Sequence, residues 1–122
     1  MFREISATVK NVGKNYYDQG KLYYDSCDYE NAKISLNQAR EIYQENNNIL
    51  LVQEIDKLIK RMEANDKFMQ GQNRFFSGDL KNAVTYYSEA KTLYTEINDC
   101  QAVQLCEDAM RAANRPLGGI LG

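Results

Sequence analysis

The sequence predicts an all-α protein of about five helices, and three observations support this fold class. Proline occurs once, at Pro116, whereas residues that favour helix, such as alanine, leucine, glutamate and lysine, occur throughout the chain. Apolar residues recur at steps of three and four, which is the period of an amphipathic helix. The pattern also occurs twice, with an offset of 51 residues.

The first two predicted helices form a hairpin. The first, over about residues 3–26, follows from the apolar positions Ile5, Val9, Val12, Tyr16, Gly20 and Tyr23. Asp28 is a favourable N-cap for the second helix, which is predicted to continue to about residue 45. Its stripe consists of Tyr29, Ala32, Leu36, Ala39 and Tyr43.

A long third helix is predicted between residue 49 and the stop at Gly78. Its apolar stripe is Ile49, Val52, Ile55, Ile59, Met62, Met69 and Phe76. Such a helix would be about 45 Å long. Residues 63–66 are polar and are the place where it could break. We expect a continuous helix, because the stripes on both sides stay in phase without an intervening proline or glycine.

Two further helices and a tail complete the prediction. Asp79 caps a fourth helix that continues to about Ile97, and Asp99 caps a fifth that continues to about Asn114. Residues 115–122 contain a proline and three glycines, which oppose helix formation. We therefore expect one helical domain over residues 1–114 and a flexible tail over residues 115–122.

The repeat is visible when the sequence is shifted against itself. Twelve of the thirty-five positions from 19 to 53 are identical to the residue 51 positions later. In both copies small and large residues alternate on one stripe, as in Ala32, Leu36 and Ala39. We interpret this alternation as a close helix crossing, where alanine leaves room for a bulky side chain of the partner helix.

These residues resemble the tetratricopeptide repeat family. One copy of a similar motif is Gly20 followed by Cys27-Asp28, Ala32, Leu36 and Ala39, and a second is Gly71 followed by Gly78-Asp79, Ala83, Tyr87 and Ala90. The period of 51 residues departs from the family's repeat of about 34 residues. The resemblance implies two helical hairpins, a capping helix and a role in binding another protein or a peptide.

The residue types present predict neither an enzyme nor a cofactor or metal site. The chain has no histidine, no glycine-rich phosphate loop, no nucleophile elbow and no Cys-x-x-Cys pair. Cys100 and Cys106 are six residues apart on one helix, about 240° around its axis, so they cannot both ligate one metal ion within that helix. We expect these two cysteines and Cys27 to be free thiols.

Charge and hydropathy make nucleic-acid binding and membrane insertion unexpected. Fifteen basic and seventeen acidic residues are interspersed, without a basic stripe to neutralise phosphates. The longest strongly apolar run, residues 49–52, is far shorter than the roughly 18 to 20 residues of a membrane span. An odd number of cysteines and a start without a signal-like apolar run predict a cytoplasmic protein.

The aromatic residues supply the candidate binding site. Tyr17, Lys21 and Tyr24 share a stripe of the first helix, and the offset places them on Phe68, Gln72 and Phe75 of the third. In the family that this chain resembles, first helices line the concave face. We therefore predict that these six residues form the floor of a partner-binding groove. The alternative is that Phe68 and Phe75 belong to the core, and the two tyrosines with them.

The leading functional hypothesis is a protein–protein interaction module, an adaptor or scaffold that binds a peptide or helix of a partner protein. The alternative is an architectural role in self-assembly, in which the long third helix or the apolar tail joins copies of the chain, for example as a homodimer.

Overall fold

Five α-helices joined by tight turns make up the described part of the chain. The computed structural model describes the backbone of residues 2–115 and the side chains of residues 11–115. The all-α class and its helical hairpins are confirmed, and residues 2–115 contain no strand. The predicted tail lies outside the described residues from position 116 onwards. The helices are α1 (Phe2–Asp25), α2 (Tyr29–Glu45), α3 (Ile49–Phe76), α4 (Leu80–Glu96) and α5 (Cys100–Asn114).

Three helices begin at the aspartates that the sequence predicts as caps. The side chain of Asp28 accepts a hydrogen bond from the backbone N–H three residues later at 3.3 Å, and Asp79 does the same at 3.3 Å. Asp99 accepts the corresponding bond at 3.1 Å. Each cap satisfies a donor that has no partner within its helix. The long third helix is confirmed as continuous, since α3 includes residues 63–66.

All four turns between helices have the same backbone geometry. In each, one residue adopts a positive φ, between 59° and 85°. The next residue donates its N–H to the carbonyl five residues earlier, as Asp28 does to Tyr23 at 2.9 Å. This is the Schellman arrangement, which ends a helix with a left-handed residue. The left-handed residues are Cys27, Asn47, Gly78 and Asn98.

We expect the substitution Cys27→Gly to stabilise the protein by about 1 kcal/mol. A left-handed conformation costs a residue with a Cβ roughly 1–2 kcal/mol, and glycine avoids this cost. The matched reverse change is Gly78→Cys at the equivalent turn. A Cβ at Gly78 would meet no atom within 4 Å, so the loss of stability there would come from the left-handed backbone conformation and not from a steric clash. Urea denaturation measures both changes, and equal midpoints for all three proteins would contradict the expectation.

The chain divides within α3 into two compact units, Met1–Ile59 and Lys60–Gly122. The 51-residue repeat relates the buried residues of one unit to those of the other. Whether the units together form the single domain predicted over residues 1–114 stays a prediction. The equivalent buried residues are Ala32, Leu36, Ala39, Tyr43 and Ile55 in the first unit and Ala83, Tyr87, Ala90, Tyr94 and Cys106 in the second.

In each unit a glycine lies under a large side chain of the next helix. A methyl group added at Gly20 of α1 would lie 2.6 Å from Cγ of Leu36. A methyl group added at Gly71 of α3 would lie 2.7 Å from the ring of Tyr87. The two pairs are equivalent under the repeat. Small and large residues therefore do meet at a close crossing, and the small partner of each large residue is a glycine of the preceding helix.

The predicted apolar stripes of α1 and α3 are partly wrong. Val12, Ile49 and Met69 are exposed, and Phe76 is 82% exposed. The reason is that small residues let two helix backbones approach, so they mark the packed face, whereas the prediction followed the most apolar side chains. The packed positions in the second half of α3 are Ala64, Phe68, Gly71 and Phe75.

An ion pair between successive helices also recurs at the repeat spacing. Arg40 of α2 donates to both carboxylate oxygens of Asp56 at 2.5 and 3.2 Å. At the equivalent positions, Lys91 of α4 lies 3.3 Å from Glu107 of α5. Surface pairs of this kind contribute little to stability. Their recurrence indicates that α2 meets α3 in the first unit in the same register as α4 meets α5 in the second.

Candidate partner-binding groove in the first unit

A surface groove of about 390 Å³ lies in the first unit, between α1, the end of α2 and the start of α3. Its volume is within the range of about 300 to 1,000 Å³ that is usual for ligand sites. Its lining residues are Asn11, Lys14, Tyr17, Asp18, Tyr43, Asn48 and Leu51.

The groove has an exposed polar rim and an inner wall of rings and apolar groups. Tyr43 is buried, whereas Tyr17 and Leu51 are half-buried. Gly13 allows the Tyr43 ring to lie against α1, because a methyl group there would be 3.1 Å from Cε1 of that ring. The rim is formed by Asn11, Lys14 and Asp18, all of them exposed.

The rim carries one charge of each sign, and they are paired. Lys14 Nζ donates to Asp18 Oδ2 at 2.9 Å, one turn apart on α1. This hydrogen bond raises the pKa of Lys14, so its ammonium group stays charged at neutral pH. The groove therefore presents no net charge from this pair.

The two phenols of the groove stay protonated at neutral pH. Burial raises the pKa of Tyr17, and the nearby carboxylate of Glu54 raises it further. Burial likewise raises the pKa of Tyr43, with a smaller effect from Asp18. Each hydroxyl can therefore donate a hydrogen bond as well as accept one.

The three predicted site residues of α1 lie along one side of that helix, and Tyr17 is the one that lines the groove. The ammonium nitrogen of Lys21 lies 5.7 Å from the centroid of the Tyr17 ring, within range of a cation–π contact. Tyr24 is half-buried, and its ring lies 5.7 Å from that of Tyr29. Lys21 is exposed and lies beside the groove, next to the Tyr17 ring, and it does not line the groove itself.

The three predicted site residues of α3 have different surroundings. The Phe68 ring lies 5.2 Å from that of Tyr87, and Phe75 packs against the buried cluster that contains Tyr87. Gln72 is exposed. These contacts favour the alternative in which Phe68 and Phe75 are core residues. The two sets of predicted residues lie in different units, and a groove shared by both stays a prediction.

Sequence reasoning missed most of the groove lining. The signal that could have found it is chemical difference between the two copies. Positions 11, 14 and 18 hold asparagine, lysine and aspartate, whereas the equivalent positions 62, 65 and 69 hold methionine, asparagine and methionine. At two of these three positions, 11 and 18, the first copy has a polar residue where the second has methionine.

The remaining chemistry of the described residues is limited. Cys27 and Cys100 are exposed free thiols, and Cys106 is a buried one. Within the described residues, no three histidine, cysteine or acidic side chains converge as a metal site would require. No helix in that part of the chain combines the length and apolarity needed to cross a bilayer.

Comparison with known proteins yields no match among protein-family models, curated proteins or solved structures. The resemblance to the tetratricopeptide repeat family therefore stays a prediction.

Proposed function

We propose that this protein is a helical-repeat interaction module, similar to tetratricopeptide proteins, that binds a peptide segment of a partner protein in the cytoplasm. The observation that carries the proposal is the groove of about 390 Å³ on the first unit, with Tyr17 in its wall and Lys21 Nζ 5.7 Å from the centroid of the Tyr17 ring. Of the six binding residues predicted from the sequence, the proposal therefore keeps the three on α1, which are Tyr17, Lys21 and Tyr24.

The groove wall has the composition of a binding surface. Tyrosine offers a large contact area with few rotatable bonds, and it is enriched where protein interfaces have their strongest contacts. In the free protein Lys21 lies beside the Tyr17 ring and Glu54 lies close to its hydroxyl, and contacts that position a side chain before binding lower the cost of ordering it. An aromatic ring that is already positioned beside polar groups is better suited to binding a peptide than to contacting a purely apolar surface.

Selection from a displayed library of random peptides on the immobilised full chain tests the proposal. We expect Tyr17→Ala to weaken binding of the selected peptides by about tenfold or more, as for a central interface residue. Fluorescence anisotropy with labelled peptides gives the affinities. Urea denaturation should show that the variant remains folded.

The matched control is Tyr86→Ala in the second unit. Tyr86 is also half-buried, and it also has a lysine beside its ring, since Lys67 Nζ lies 5.6 Å from its centroid. This substitution should leave peptide affinity unchanged. Selection of no peptide above background, or equal losses in both variants, would contradict the proposed function.

Self-assembly is a second candidate function, supported by large apolar side chains at the surface. Leu50, Phe76 and Leu105 are 79%, 82% and 60% exposed. Exposed apolar groups of this size favour association when several lie within one contact. Light scattering after gel filtration over a wide concentration range distinguishes the two candidates, because a concentration-independent monomer would exclude self-assembly as the function.

A further inference from the structure

An apolar patch lies at one end of the second unit, where α3 ends, α4 begins and α5 ends. Phe75 of α3, Val84 of α4 and Met110 of α5 are half-buried and pack against one buried cluster. The ring of Phe76 lies edge to face with that of Phe75, at 5.6 Å, and Phe76 is 82% exposed. We call these four residues the apolar patch. A phenylalanine so exposed beside other apolar groups favours a covering partner.

The chain leaves α5 beside this patch. Ala113, in the last turn of α5, belongs to the buried cluster on which the patch packs. Arg115 then has an extended backbone, with φ −64° and ψ 118°, so the chain turns out of the helix. Residues 116–122, which lie outside the described residues, follow directly, and we call them the tail segment. Seven residues span at most roughly 24 Å, so the patch is within reach of this segment.

The composition of the tail segment suits an apolar surface. None of its seven residues is charged, and three of them, Leu117, Ile120 and Leu121, have large aliphatic side chains. Gly118 and Gly119 can adopt the left-handed backbone conformations that tight turns require. A reversal at these glycines would direct Ile120 and Leu121 back towards the end of α5.

The patch and the segment that follows it change in chemistry together between the two units. Phe76 and Val84 have the equivalents Asp25 and Lys33 in the first unit. The equivalents of the tail segment are residues 65–71, which belong to α3 and include an aspartate and a lysine. Charged patch positions are therefore followed by a charged helical stretch, and apolar patch positions by an uncharged apolar segment. This correspondence is expected if the tail segment and the patch meet.

Covalent attachment favours this segment over any other occupant. A tethered segment that can reach its site has an effective concentration in the millimolar range. A second copy of the chain, or another protein, must bind from solution at its own concentration. A contact of a few aliphatic side chains is therefore far more populated within one chain than between two.

We infer that residues 116–122 fold back over the apolar patch of the same chain and place Leu117, Ile120 and Leu121 against Phe76 and its neighbours. This differs from the flexible tail that the sequence predicts. The inference is independent of the proposed peptide binding, because the patch lies in the second unit and the groove in the first.

A double-mutant cycle on the full chain tests the contact. Truncation after Arg115 should lower the Tm by about 4 °C or more. Phe76→Ala should lower the Tm of the full chain by a similar amount, and that of the truncated chain by much less, because the ring then has no tail to lose. The matched control is Leu50→Ala in the first unit, where Leu50 is 79% exposed. Its small effect should be the same with and without the tail segment.

A second variant keeps the length of the chain. Ile120→Asp/Leu121→Asp should reproduce the loss caused by truncation, whereas Gly122→Asp, which adds a charge but removes no apolar group, should not. Additive effects of truncation and Phe76→Ala, or a Tm unchanged by the double aspartate variant, would overturn the inference.

Light scattering after gel filtration identifies which chain supplies the tail segment. Coupling between Phe76 and the tail segment in a protein that is monomeric at the concentration of the melts supports docking within one chain. Coupling that accompanies a dimer and disappears on dilution would overturn the inference in favour of a tail segment from a second copy.

Discussion

The substitution Gly71→Ala is expected to destabilise the protein by about 1 to 3 kcal/mol, the usual cost of overpacking, although alanine is the better helix former. A methyl group at this position would lie 2.7 Å from two ring atoms of Tyr87. Either the ring or the helix must move, because the contact is far inside van der Waals distance. Alanine would by itself gain roughly 0.5–1 kcal/mol over glycine in a helix, which the clash outweighs.

A double-mutant cycle separates these two effects. Tyr87→Ala alone should cost about 3–5 kcal/mol, as for other buried aromatic residues. In that background Gly71→Ala should be neutral or stabilising, because the ring that it strikes is gone. Urea denaturation gives the four free energies, and the neighbouring exposed Gln72→Ala is the control for helix propensity. Additive effects within about 0.5 kcal/mol would show that glycine and ring do not meet as described.

Cys106 is expected to resist alkylation at least a hundredfold more than the other two thiols. Burial raises its pKa to about 11, and the thiolate is the reactive form. Cys27 and Cys100 are exposed. Thiol labelling of the native protein followed by mass spectrometry should therefore show two fast sites and one slow site. Rapid modification of all three would place Cys106 at the surface.

The same thiol makes stability depend on pH in the alkaline range. Its pKa rises from the reference value of 9.0 to about 11 in the folded protein, so the unfolded chain loses this proton first. The unfolded state then binds fewer protons, and stability falls as the pH rises from 9 to 11. Cys106→Ala removes this contribution while the buried tyrosines remain. The stability difference between wild type and this variant should therefore change over that window, and a constant difference would contradict the assignment.

The sequence by itself determined the helices, their caps and the repeat. Asp28, Asp79 and Asp99 are caps because an aspartate oxygen reaches a backbone N–H three residues away, and this interaction needs no tertiary contact. The repeat is also readable without a structure, since twelve identities occur in thirty-five positions. Its equivalent buried residues then follow from the offset of 51 positions.

The face that α3 presents to α4 was decided by tertiary structure. The sequence contains two candidate apolar stripes. One is formed by Met69 and Phe76, and the other, shifted by one residue toward the N-terminus, by Phe68 and Phe75. Gly71 decides between them, because helices approach most closely where a side chain is missing, and Tyr87 fills that place. A choice between two neighbouring stripes depends on the shape of the partner helix, which is not a local property.

Of the residues that line the groove, the sequence predicted only Tyr17 as a site residue, and it did not predict the shape of the groove. Tyr17 follows from the aromatic stripe of α1, but the groove forms where α1, the end of α2 and the start of α3 come together, with Asn48 and Leu51 on the far side from Tyr17 in sequence. A groove forms where the side chains of several helices, distant from each other in sequence, together leave space unfilled. Periodicity along a single helix records which side chains are apolar, and only the packing of helices against each other determines where volume is missing.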